Sequence, residues 1–135
     1  IIEEGQALKH CLDRSDRYFE RIANQESYIV FLRRTQAMEQ PYYTMEIEPD
    51  GTTRQKRTVG DNQNNDYHRA EKFLKKWQAA IRPRLSQEDF ERQEISRQLR
   101  MYELESLRND KVTVHGGIHA GELLADILEA DLMEA

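Results

Sequence analysis

Between Ser27 and Val59 the apolar pattern runs at a period of two, and on both sides of this stretch it runs at three to four. That switch is the strongest constraint on the fold, because side chains alternate across a strand but recur every 3.6 residues on a helix. Ser27-Tyr28-Ile29-Val30-Phe31-Leu32-Arg33 is aromatic and β-branched and reads as a strand covered on both faces for most of its length. Tyr42-Tyr43-Thr44-Met45-Glu46-Ile47-Glu48 alternates as a second strand. Pro49-Asp50-Gly51 supplies a turn, with proline presetting φ and glycine accepting the left-handed position. Thr52 to Val59 returns as a third strand, and residues 35–41 join the first two.

Helices frame this meander. Ala7, Leu8, Cys11 and Leu12 share a stripe in a helix over residues 3–12. A short helix over 15–23, capped by Ser15, would bury Tyr18, Phe19 and Ile22. The polar stretch Gly60–Asp66 leads into the clearest amphipathic pattern of the chain: Tyr67, Ala70, Phe73/Leu74, Trp77 and Ile81, ended by Pro83. This helix is expected to cross one face of the sheet with Trp77 largely buried. Ser86-Gln87-Glu88-Asp89 has capping-box spacing and opens a helix to about Arg108. Its apolar face is thin (Phe90, Ile95, Leu99, Tyr102, Leu107), as in a helix that lies on a surface or projects to a partner. A short strand is expected at Lys111–Val114. A last helix, over about 120–135, carries Leu123, Leu124, Ile127, Leu128 and Leu132. The expectation is an α+β fold, a three-stranded antiparallel β-meander packed with N-terminal helices and a following amphipathic helix, plus C-terminal helices. Residues 1–85 form the core, and residues 86–135 form an extension that packs on it or on a partner.

Composition narrows the functional classes. The 135 residues are 33% charged, and no run of eighteen apolar residues spans a membrane. Cys11 is the single cysteine, so no intrachain disulfide forms, which fits a reducing, cytoplasmic setting. The start at Ile1-Ile2-Glu3-Glu4 reads as a piece of a longer parent chain, whose remainder is then a partner. Charge is uneven. Residues 28–84 hold eleven Lys/Arg against seven Asp/Glu, and residues 85–135 hold five against twelve. A basic middle with acidic flanks marks either a nucleic-acid face or an acidic tail docked on a basic body.

Four groups of residues can carry chemistry. His10 and Cys11 are adjacent, and an imidazolium lowers a thiol pKa. Neighbours on a helix point about 100° apart, however, and Cys11 also fits a buried stripe. His10, Cys11, His115 and His119 offer zinc-ligand types, but their spacing matches no compact zinc knuckle, so no metal and no cofactor is expected. Glu46, Gln55 and Arg57, with Arg33 nearby, gather an acid, an amide and guanidinium groups on one sheet. This arrangement reads either as a cross-strand ion pair or as an acid/base site completed by His10. A bulged turn would put Glu46 opposite Arg54, and a plain turn would put it beside Gln55 and Arg57. Arg33, Arg34, Arg54, Lys56, Arg57, Arg69, Lys72, Lys75, Lys76, Arg82 and Arg84 lie among aromatic residues, a pattern that suits single-stranded nucleic acid. Asn62 and Asn64, before a helix, add anion-binding donors.

Taken in order, five blocks resemble the PcfJ-like domain family. They are Glu4-Gly5-Gln6-Ala7-Leu8-Lys9-His10-Cys11, Tyr28-Ile29-Val30-Phe31-Leu32-Arg33, Pro41-Tyr42-Tyr43-Thr44-Met45-Glu46-Ile47, Gln55-Lys56-Arg57 with Gly60–Asn64, and Phe73-Leu74-Lys75-Lys76-Trp77. The chain departs from the family at Leu12-Asp13-Arg14-Ser15-Asp16-Arg17-Tyr18, where a Gly-Tyr-like stretch is usual. The resemblance implies a protein of conjugative plasmids, integrative elements or phage-like regions and implies no reaction. The functional expectation is an accessory domain that binds nucleic acid or a DNA-processing partner. The alternatives are an enzyme using His10, Cys11, Glu46 and Gln55, and a purely structural interaction module.

Overall fold

The computed structural model describes residues 16–37, 42–57 and 67–135, with backbone only at 16–19, 37, 57 and 67. The expected helix over 3–12, the Ser15 cap of the helix over 15–23, and the stretch Gly60–Asp66 lie outside the described residues, as do the side chains of Tyr18 and Phe19. Helix α1 (Asp16–Ala23) leads into strand β1 (Tyr28–Leu32), followed by β2 (Tyr43–Ile47) and β3 (Thr53–Arg57). Helices α2 (Tyr67–Ile81), α3 (Gln87–Asn109) and α4 (Leu124–Asp131) complete an α+β fold.

The strands form an antiparallel meander in the order β1-β2-β3. Tyr28 pairs with Ile47 and Leu32 with Tyr43; Thr44 pairs with Arg57 and Glu46 with Gln55. The next partners are Ile47 and Thr53, so the ladder skips Arg54. This bulge places Arg54 and Gln55 together on the face that carries Glu46. The register at Glu46 is therefore the Gln55 pairing, and Arg54 is the inserted residue. The turn between β2 and β3 closes through the Glu48 N–H to Thr52 O bond at 2.8 Å and the Gly51 N–H to Glu48 O bond at 2.9 Å. Gly51 sits at φ +96°, and a Cβ there would meet Ile81 Cδ1 at 2.8 Å. The backbone angle favours glycine here, and the Ile81 methyl would have to shift to admit a side chain.

β2 is buried along its whole length, whereas Tyr28 and Phe31 of β1 are exposed. The covered strand is thus the central one, and β1, expected to be covered on both faces, is an edge. Tyr43, Met45 and Ile47 point to one face and pack with Tyr42, Ala70, Leu74 and Met133; Val30, Leu32 and Trp77 close the margin. α2 therefore crosses the sheet as its periodicity predicts, with two corrections. Leu74 rather than Phe73 enters the core, and Trp77 is only partly buried.

The C-terminal segment differs more from expectation. The strand at Lys111–Val114 reduces to one bridge, Thr113 with Leu123. The last helix stops at Asp131, and Met133 pairs with Thr53 at the free edge of β3 through two backbone bonds of 2.9 and 2.8 Å. Gln78 Nε2 donates to Met133 O and Gly51 O, both at 2.9 Å, and so ties this tail to α2 and the turn.

Candidate functional site

The second face of the sheet is charged. Glu46 and Glu48 alternate with the core residues of β2, and Arg54 joins them through the bulge. Arg21 at the end of α1 donates from Nη1 to both Glu46 oxygens (2.9 and 2.8 Å) and from Nη2 to both Glu103 oxygens (2.8 and 2.6 Å). Ser27 Oγ donates to Glu46 at 2.5 Å. Arg54 donates from Nε to Glu48 at 2.5 Å and from Nη1 to Glu26 at 2.7 Å, and its Nη2 reaches Ser96 O and Oγ of α3. Gln93 donates to Glu48 at 2.8 Å, and Arg100 lies 3.3 Å from the same carboxylate. Burial alone lowers the Arg21 pKa, but the Glu46 and Glu103 carboxylates outweigh it and the net shift is upward, so this guanidinium stays charged.

α3 thus docks on the sheet through Gln93, Ser96 and Arg100 and on Arg21 of α1 through Glu103, four residues that recur at three, four and three positions on one side of the helix. Its buried residues are Ser96 and Arg100. Of the apolar residues read from sequence as its thin apolar face, Phe90, Ile95, Leu99 and Tyr102 are exposed and Leu107 is half-buried. Sequence reasoning missed Arg21, Ser27, Glu48, Ser96, Arg100 and Glu103. The alternation of Glu46 and Glu48 was the available signal; the polar positions of α3 have none, because such a spacing looks the same on a solvated face.

Glu46, read from sequence either as an ion-pair partner or as part of an acid/base site, is 2% exposed and accepts two bonds from the Arg21 guanidinium and one from the Ser27 hydroxyl. Gln55 sits opposite it on β3, partly buried. His10, Cys11, Asn62, Asn64 and the Arg57 side chain lie outside the described residues. Lys56 turns to the other face and is buried. Its Nζ donates to Asp131 O at 2.9 Å and lies 3.5 Å from Asp131 Oδ1. Among the described residues no group of three His, Cys, Asp or Glu is placed to hold a metal ion. His119 is engaged by Glu122 at 2.6 Å on the exposed bend before α4.

The basic residues of α2 take a different arrangement. Arg69, Lys72, Phe73 and Lys76 occupy positions i, i+3, i+4 and i+7, and all four are exposed. Phe73 is 51% exposed, an aromatic ring standing among three cations. Arg69, Lys72 and Lys76 form no ion pair among the described residues. Lys75, one position round the helix, donates to Glu134 O at 3.1 Å. From residue 67 to residue 84 the chain holds six Lys/Arg and one acid, Glu71. Beyond this helix, Arg33 lies over the Phe31 ring at 5.9 Å and Arg34 over the Tyr42 ring at 4.8 Å, which repeats the cation–aromatic pairing near the end of β1.

A family model described as PcfJ-like protein matches residues 1–72, more than half of the chain. No curated protein and no solved structure matches.

Proposed function

This chain belongs to the PcfJ-like protein family, and from that premise we propose that it is an accessory domain of a conjugative or phage-derived mobile element that binds nucleic acid along the outer face of α2. The observation that carries this reading is the exposed stripe Arg69–Lys72–Phe73–Lys76. Cations without acid partners keep their charge available for phosphates, and an aromatic ring between them offers a base a surface to stack on. From Arg69 to Lys76 the helix rises about 10 Å. Arg69, Lys72 and Lys76 can each meet one phosphate, three contacts in all. The overall negative charge works against non-specific binding elsewhere, so binding concentrates on this helix. Lys56, held by Asp131, takes no part in this reading.

The test is fluorescence anisotropy with a labelled oligothymidylate. Three phosphate contacts to a single strand give a log–log salt slope of about −2. Affinity should therefore fall roughly twentyfold between 50 and 200 mM salt. Lys72→Glu with Lys76→Glu should abolish binding. Phe73→Ala should weaken it by about 1–3 kcal/mol while leaving the salt slope unchanged. Unchanged affinity in the double charge reversal, with the fold retained, removes the proposal.

A further inference from the structure

α3 buries a polar side, and its outward side carries an apolar stripe among charged residues. Ile95, Leu99 and Tyr102 recur at four and three residues and are 62%, 44% and 73% exposed. These are alternating core positions of a heptad, and a stripe of this kind seats the apolar side of another helix. One flank of the stripe is marked by a seven-residue repeat of Glu91, Gln98 and Glu105, all exposed. Glu105 has no side-chain partner among the described residues, and Glu91 receives only a 3.5 Å contact from Gln87. The opposite flank, Ser96 and Glu103, faces the domain body and is closed to a partner.

We infer that this face of α3 docks an amphipathic helix of another protein, one that carries lysine or arginine along a single flank. The exposed acids Glu91 and Glu105 on the open flank set this charge requirement, and a second copy of the chain is the alternative that the oligomeric state tests. Tyr102, the most exposed of the three, is the anchor such an interface favours. The surface is separate from the basic stripe of α2, so the two can be broken independently.

Two synthetic peptides of three heptads probe it, both with leucine at the core positions, one with lysine and one with glutamate on the flanks. Binding to the whole chain is read by titration calorimetry. The lysine peptide should bind saturably and the glutamate peptide should not. Leu99→Asp should weaken the lysine peptide at least about tenfold, as loss of a central anchor does. Glu91→Lys with Glu105→Lys should reverse the preference between the peptides. These side chains are exposed, so each variant should keep the wild-type melting temperature, which circular dichroism checks. Equal binding of both peptides, or Leu99→Asp without effect, overturns the inference. So does a wild-type dimer by light scattering that Leu99→Asp dissociates, since the stripe is then a self-interface.

Discussion

The two faces of this sheet are covered by helices in opposite ways. Against α2, Tyr43, Met45 and Ile47 meet Ala70 and Leu74, with Met133 of the tail between strand and helix. Against α3, Glu48 and Arg54 meet Gln93, Ser96 and Arg100 through hydrogen bonds and an ion pair, and Arg21 bridges Glu46 to Glu103. Apolar contact is non-directional and scales with area removed from water. Ion pairs taken out of water gain little net energy, because desolvation offsets the attraction, but they tolerate few geometries. The first face supplies the stability of the fold. The second sets where α3 lies and which of its sides turns outward, and so leaves an apolar stripe exposed.

The sharpest way to break this comparison is to remove one charge. Glu46→Leu leaves Arg21 buried without its main partner on the sheet, and it should cost about 3–5 kcal/mol, the usual effect of breaking a buried pair. Replacing both, Arg21→Met with Glu46→Leu, should recover much of that loss, because neither charge then needs compensation. Urea unfolding of the three proteins measures both effects. A single-variant cost below about 1 kcal/mol would mean that water reaches this network and that the polar face is an ordinary surface.

On the other face the effects should follow packing. Leu74→Ala, fully buried, should cost about 3 kcal/mol, within the range for a core leucine. Trp77→Ala, at the margin, should cost about 2 kcal/mol, below the about 3–5 kcal/mol of a fully buried aromatic. If Trp77 proves the costlier of the two, the margin of the core carries more of the packing than its centre.

How much of this was legible in the sequence follows from the same contrast. The change from period two to period 3.6, and the Pro49-Asp50-Gly51 turn, are local signals, and they located the meander and α2. Phe73 and Leu74 are adjacent, so periodicity alone could not say which one enters the core. The docking of α3 was unreadable because its buried side is polar: hydrophobic patterning pointed to Ile95, Leu99 and Tyr102, and ion pairs with β2 and β3 turned them out. Met133 against Thr53 was equally hidden, since one bridge leaves no periodic trace. At the candidate site, the basic residues of α2 were legible as charge, but the exposure of Phe73 among them was not. Glu46 was legible as an ion-pair candidate, with a different arginine, Arg21, as its main partner.

The smallest expected effect tests how far a helix docked by charge depends on its own ends. At the start of α3, Asp89 N–H donates to Ser86 Oγ at 3.2 Å and Ser86 N–H donates to Asp89 Oδ2 at 2.8 Å, a reciprocal cap. α3 gains little from apolar burial, so satisfying its first-turn N–H groups matters more than it would for α2. Ser86→Ala should cost about 1 kcal/mol. The hydrogen bonds from Ser86 also lower the Asp89 pKa. The sign follows from that direction. A carboxyl lowered on folding stabilises the protein above its unfolded pKa, and that contribution is lost as pH falls through the lowered value. Asp89→Asn should therefore be less stable than wild type at neutral pH, and the gap should close as the solution is acidified through the carboxylate range. Thermal melts of both proteins across that range measure it. A gap that persists at low pH would assign the effect to helix propensity rather than to the charged cap, and α3 would then depend on its ends no more than α2 does.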